Sequence, residues 1–319
     1  MHPRHLIAAA LAIAVAVAAG CEPPDGIPSQ RTLRIIVGDP PGGAADHLGR
    51  LIASEMRAIR PAVVENHPGN AGVLAAAHVA RASRPGETLL LGSTDALTLA
   101  PLLDPTLPYR MMEDLCPIAL VAQTPHVLLV DADSAYRTVA DVIEDARRRP
   151  EEITYASLGG GTSSHAIGAL FSREAGVSLV HVAYRGSGPA TRDILGGHVD
   201  IMFGTLQSTA TALDSGQFRA LATSAAQRPP HLPGVPTFAE AGLPALTSSS
   251  WHGVFAPCAL PRSVQDEWAS LLARVLDRGA IAATIAARGA EAPRVSGERF
   301  EQYLQRDAER WREVAALLR

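Results

Sequence analysis

Three glycines, three hydroxyls and a histidine follow one another at Gly159, Gly160, Gly161, Thr162, Ser163, Ser164 and His165. Glycines let a backbone turn sharply and expose its N–H groups. Hydroxyls at the next positions suit a helix N-cap. A short apolar, β-prone run at 153–156 precedes them, and apolar residues recur at helical spacing over 166–175. A strand, a glycine loop and a helix in that order leave free amides at the positive end of a helix dipole. Such a place suits a carboxylate or a phosphate. The same residues also describe a capped turn that binds nothing, and on their own they leave both readings open.

Two further stretches share this chemistry. A strand at 33–37 leads into Gly38-Asp39-Pro40-Pro41-Gly42-Gly43-Ala44-Ala45-Asp46 and then a helix at 47–57. Downstream of 166–175 a second strand leads into Tyr184-Arg185-Gly186-Ser187-Gly188. A buried strand at 89–92 ends in Ser93 and Thr94, and ligands of open α/β sheets sit at that edge.

The elements that must position these loops alternate along the chain. Strands are expected at 63–65, 117–122, 127–130, 198–202, 219–223 and 253–256. Helices are expected at 73–82, 139–148, 190–195, 208–214, 237–241, 263–276, 281–288 and 298–317. Such alternation argues for parallel or mixed sheets covered by helices, here with two cradles facing a cleft. The 319 residues, 47% hydrophobic, suffice for two α/β domains. A net charge of −4 with no basic stripe argues against nucleic acid. Three cysteines do not make a disulfide scaffold. The histidines are scattered, so no metal spacing and no cofactor are expected.

Residues 1–20 read as a secretory signal: a weakly basic start, then an apolar run too short for a mature membrane span. Ala18-Ala19-Gly20-Cys21 resembles a bacterial lipobox, which makes Cys21 the expected lipidation site and 21–31 a tether. Ordinary cleavage with a free Cys21 is the alternative.

Several motifs in order resemble one family. They are PPGGAAD at 40–46, VENHPGNAG at 64–72, YASLGGGTSSH at 155–165, HVAYRGSGPA at 181–190, RPPHLPGVPTFAEAGLP at 228–244 and SWHGVFAP at 250–257. The chain is similar over nearly all its mature length to the receptors of tripartite tricarboxylate transporters, called TctC or Bug. The resemblance implies a two-lobed periplasmic-binding-protein-like (type II) α/β fold with a mixed sheet covered by helices in each lobe. Lobe 1 would hold 32–122 and 251–319, and lobe 2 would hold 123–250. It implies a monomer that captures a small di- or tricarboxylate for the large and small membrane subunits of a transporter. A lipoprotein signalling to a membrane sensor is the alternative. An enzyme is the competing class, but Gly161-Thr162-Ser163-Ser164-His165 lacks the closing glycine of a hydrolase elbow.

The ligand loops implied by the resemblance match Gly42, Gly43, Ala45 and Asp46 in the first lobe, with Ser93 beside them. In the second they match Ser157, Gly161, Thr162, Ser163, His165, Tyr184, Gly186 and Ser187, with Gly204 and Thr205 at the end of the next strand. Asp46, an acceptor, suits capping a helix or holding water better than touching an anion. A structural histidine bonding its own loop is the alternative for His165, and a core position with a tethered hydroxyl is the alternative for Tyr184. Two departures bear on selectivity. Ala45 stands where the family has a hydroxyl, and Phe203-Gly204-Thr205 stands where it has Phe-Asp-Asn. The missing acid points to plain acids over amino acids. In two-lobed binding proteins the outgoing and returning strands lie antiparallel, which would put Cys116 beside Cys258 as a disulfide in an oxidising compartment.

Overall fold

The computed structural model describes residues 31–319. The expected signal, Cys21 and the tether up to residue 30 lie outside the described residues.

Alternating apolar strands and amphipathic helices build one long mixed sheet with two cores. In its first half β1 (Leu33–Val37), β2 (Ala62–Asn66) and β3 (Thr88–Ser93) run parallel. β1 is apolar throughout because helices cover both faces: Leu33, Ile35 and Val37 enter one core cluster and Ile36 another. α1 (Ala44–Met56), α8 (Arg262–Leu276) and α9 (Gly279–Ala286) pack on one face. α2 (Val73–Ala80) and the start of α10 (Glu298–Ala315) pack on the other.

β4 (Leu115–Asp131) joins the halves and pairs antiparallel with β9 (Ser249–Pro257) from Leu115 to Pro125. From His126 onward it pairs instead with β7 (Ile201–Thr205) and β8 (Phe218–Thr223). Two strands were expected here because Gln123-Thr124-Pro125-His126 interrupts the apolar run. One strand of 17 residues is found, and Pro125, which lacks an N–H, sits where β4 changes partners. In the second half β5 (Thr154–Ser157) lies between β6 (Val180–Ala183) and β7, all parallel. α4 (Val139–Arg148) and α5 (Ser163–Ala175) cover one face, and α6 (Ser187–Leu195) and α7 (Leu206–Asp214) the other.

α10 bears on both cores. Phe300 and Leu304 pack under β9, whereas Trp311, Val314 and Ala315 pack with Phe171 and Phe203. Asp307 lies between them and accepts from Trp251 Nε1 at 2.6 Å and Thr98 Oγ1 at 3.2 Å. Cys116 and Cys258 are disulfide-bonded, with Cα atoms 5.0 Å apart.

Two expected elements differ. The helix at 237–241 is a single turn: Ala241 N–H reaches Thr237 O, and Gly242 at φ 86° then reverses the chain before Pro244. The strand expected from His198 begins at Ile201, because Gly196 and Gly197 still turn there and His198 N–H closes the end of α6 on Asp193 O. The segment after β3 carries structure not expected from sequence. A π-helical turn at Asp95–Leu99 runs into α3 (Ala100–Leu103).

Candidate ligand site

The C-terminal ends of β1 and β3 in one half, and of β5, β6 and β7 in the other, carry every loop singled out above. In the first loop Gly43 precedes α1 and has no side chain to cap it. Asp39 supplies the cap from outside the helix: its Oδ2 accepts from Ala45 N at 2.8 Å. Glycine at 43 makes this possible, since a Cβ there would stand 2.7 Å from that oxygen. Gly42, at φ +86°, gives its N–H to Asp46 Oδ2 at 2.9 Å. Asp46 also pairs with Arg50 at 2.8 Å and accepts from Asn66 Nδ2 at 2.9 Å. Burial pushes its carboxyl up, but Arg50, the Gly42 amide and Asn66 together hold it below the usual carboxylate range. Asp46 therefore fixes the loop's shape from inside the first turn of α1. The Ala45 methyl lies in the core with Leu48.

The second loop is cross-bonded. Thr162 caps α5 by accepting from His165 N, and Ser164 Oγ accepts from Leu158 N at 2.9 Å. Gly161, at φ +74°, donates to His165 Nδ1 at 3.2 Å. His165 stacks on His181 with ring centroids 3.6 Å apart. Burial lowers both imidazoles, His181 to about 4 with His165 adding to the effect, so the stack is neutral at pH 7. Ser157 is fully buried, with Oγ 2.7 Å from His181 Nε2 and 3.0 Å from Gly159 O. Gly159 N–H also reaches the Ser157 oxygen at 3.3 Å, so this hydroxyl is held by its own loop and by the imidazole together.

The β6–α6 loop is tied to the second loop by Tyr184 N–H on Ser157 O at 3.1 Å. Tyr184 Oη donates to Asp193 Oδ2 at 2.8 Å, and burial followed by that carboxylate pushes the phenol up to about 12. Gly186, at φ 98°, precedes α6 and offers no side-chain cap. Among the described residues no hydrogen bond engages the amides of Gly186, Ser187 or Gly188. Gly204 is buried at the end of β7, and Thr205 caps α7 in a reciprocal pair with Ser208.

Sequence reasoning passed over the residue that joins the two halves. Asp95 Oδ1, just past β3, accepts from Ser163 N at 2.8 Å, at the first residue of α5. Leu99, Leu102 and Leu103 of the same segment pack in the second core. Burial raises the Asp95 carboxyl to about 6, against the pull of Ser163 and helped by the charge of Asp39. His252 on β9 was also missed. It lies opposite Ser93 in the ladder, and its buried Nδ1 has no partner. Gln207, at the start of α7, has no partner for either side-chain polar atom. The sign that would have found Asp95 is a carboxylate at the C-terminal end of a buried strand. A cavity of about 590 Å³ lies elsewhere, between α2 and the start of β1, lined by Arg34, His78, Arg81 and Arg84, and has no glycine loop.

Residues 48–318 match the family described as the tripartite tricarboxylate transporter family receptor. The chain belongs to that family. This receptor is 35% identical over 293 residues, 91% of its length and 87% of the other's, to a UPF0065 protein in the tcbD-tcbE intergenic region of Pseudomonas sp. (strain P51). Its fold is that of the R. palustris protein Rpa4515 with adipate: TM-score 0.84, 29% identity, 93% of this chain and 98% of the other. MatC from Rhodopseudomonas palustris, with bound malate, gives TM-score 0.81 and 31% identity over 89% and 99%. Family and fold make this receptor a periplasmic solute-binding protein.

Proposed function

We propose that this receptor captures a small di- or tricarboxylate between lobe 1 (32–122 with 251–319) and lobe 2 (123–250), and delivers it to the large and small membrane subunits of a tripartite tricarboxylate-type transporter. It works as a monomer in the periplasm, anchored through lipidated Cys21. The observation that carries the reading is the unfilled start of α6. Gly186, Ser187 and Gly188 present amides that no group among the described residues engages, beside Arg185 and at the positive end of a nine-residue helix. A ligand carboxylate accepts there, and charge-assisted bonds of this kind are the strong ones. The carboxylates held by the two R. palustris neighbours support the ligand class. Receptor work also fits the second loop, since Ser157 is fully buried and the Ser163 amide is held by Asp95 at the start of α5.

The test is a thermal-shift screen of the mature protein against mono-, di- and tricarboxylates. A ligand at a hundred times its dissociation constant adds about 2.7 kcal/mol to stability. No shift with any carboxylate overturns the proposal. A shift that survives replacement of Gly186 and Ser187 by bulkier residues moves the site away from α6.

A further inference from the structure

The cavity of about 590 Å³ between α2 and the start of β1 lies at the opposite ends of the strands from the ligand loops. Arg34 of β1 and Thr88 of β3, partners in register, line it with Leu74 and His78 of α2 and with Arg81 and Arg84 just beyond that helix. Its charge runs against the net −4 of the chain. Arg34 holds Glu65 at 2.6 Å, Arg31 holds Glu87 at 2.5 Å, and Arg84 stands 3.7 Å from the same Glu87. Arg81 has no side-chain partner among the described residues. Four arginines thus meet two carboxylates, and the rings of His67 and His78, 4.3 Å apart, add N–H donors. Aliphatic side chains stand out beside them. Leu74 is 55% exposed, and Val63, next to Arg34 on the edge strand β2, is 42% exposed. The described chain also starts at this rim, since Arg31 is its first residue. The stretch from Cys21 to Gln30 reaches at most about 35 Å. A lipid on Cys21 would keep this face within one tether length of a bilayer. Guanidinium groups suit phosphate oxygens there, and exposed aliphatic side chains suit the interface.

We propose that this cavity is a second anion site, apart from the cleft, which takes the phosphate of an anionic phospholipid headgroup and sets this face against the membrane that carries the anchor. The choice of partner rests on the reading that Cys21 is lipidated, and it does not depend on where the carboxylate binds. The ligand loops, at the other ends of the strands, stay clear of that bilayer.

The experiment is co-sedimentation of the mature chain bearing Cys21→Ser, which carries no acyl chain, with two kinds of vesicle. One is phosphatidylcholine alone, and the other is equal parts phosphatidylcholine and phosphatidylglycerol. Binding is tenfold or more tighter to the mixed vesicles and falls away at high salt. Arg81→Gln with Arg84→Gln removes at least tenfold of it. Arg137→Gln with Arg306→Gln, exposed arginines elsewhere on the chain, changes it less than about twofold. Unchanged thermal midpoints certify each variant. Equal binding to both vesicles, no binding to either, or equal loss in the two double variants overturns the inference and leaves the carboxylate reading standing. Inorganic phosphate that displaces mixed vesicles at the concentration of their headgroups makes the cavity a free-anion site and overturns the membrane assignment. Vesicle binding that appears only with Glu22→Gln and Asp25→Asn gives the cavity to the chain's own acidic tether and overturns it too. Mass spectrometry of the membrane fraction reads the anchor separately, and an unacylated Cys21 overturns the partner together with the anchor it rests on.

Discussion

One methyl group added at Gly43 tests how the first loop works. A Cβ at this position would stand 2.7 Å from Asp39 Oδ2 and 2.8 Å from Asp39 Cβ. Both are inside contact distance, so the carboxylate must swing off the Ala45 amide it now holds at 2.8 Å. A lost helix cap costs about 0.5–2 kcal/mol, and a buried amide without a partner about 1–3 kcal/mol. Both figures describe the same N–H and are not summed, so Gly43→Ala is expected to cost about 1–2 kcal/mol. Gly42→Ala is the control. Nothing lies within 4 Å of its added Cβ, but its φ of +86° makes the backbone itself the cost, about 1–2 kcal/mol, with Asp39 undisturbed. Urea denaturation of each single variant, of Asp39→Ala and of the two doubles separates the causes. Gly43→Ala on the Asp39→Ala background should cost less than in the parent, because no carboxylate is left to displace and only the Cβ of residue 39 still stands 2.8 Å away, a coupling of about 0.5 kcal/mol or more. Gly42→Ala on that background should add to within about 0.5 kcal/mol. Full additivity of Gly43→Ala with Asp39→Ala would refute the argument that the glycine exists to seat the carboxylate.

Three further outcomes follow from packing, burial and covalent links. The Cys116–Cys258 bond closes a loop of sequence separation 142, so its reduction should lower stability by up to about 5 kcal/mol in the chain-entropy model, read as a shift in urea midpoint with and without reductant. Burial raises the Asp307 carboxyl from its ordinary 3.8 to about 6. Its folded value exceeds its unfolded value, so the native state holds the proton more tightly. The stability this gives is present below about pH 4 and lost as pH rises to about 6, on the order of 3 kcal/mol. Asp307→Asn should remove that slope, and equal slopes in variant and parent would show that Asp307 does not cause it. At Gly204 a Cβ would meet Thr209 Cγ2 at 2.8 Å. Gly204→Ala should therefore lose about 1–3 kcal/mol, recovered in thermal midpoint when Thr209→Ser removes that methyl and keeps the hydroxyl.

Much of the fold was legible because its signals are local. Thr138 and Asp141 form a reciprocal cap just before an amphipathic run, and α4 has its expected bounds at Val139–Arg148. The strands at 33–37 and 89–92 stand out as short apolar runs because both of their faces are covered. The unity of β4 was not legible. Proline and polar residues at its middle are those of a loop, and only the exchange of partners there makes them strand. The segment 95–103 was missed for a similar reason. It is a short apolar stretch with Pro101 inside it, and its helical turns are set by Leu99, Leu102 and Leu103 packing into the second core. Asp95 was lost with it. The Cys116–Cys258 pairing was expected through the likeness to two-lobed binding proteins, since cysteines 142 apart carry no local sign of being neighbours.

The candidate site shows where such reading stops. Glycines and hydroxyls after a strand mark where amides will be free at a helix start, and all three such loops were found this way. Which group fills them is a tertiary matter. Asp39 reaches Ala45 from six residues away, inside the same loop, whereas Asp95 reaches Ser163 from 68 residues away. Each of α1 and α5 thus has a first-turn amide held by a carboxylate of the chain itself. Among the described residues α6 keeps its first amides unengaged, next to Arg185, which is the ground for proposing an incoming carboxylate there. One motif type thus has its amides held by the chain at two helix starts and, among the described residues, left unengaged at a third.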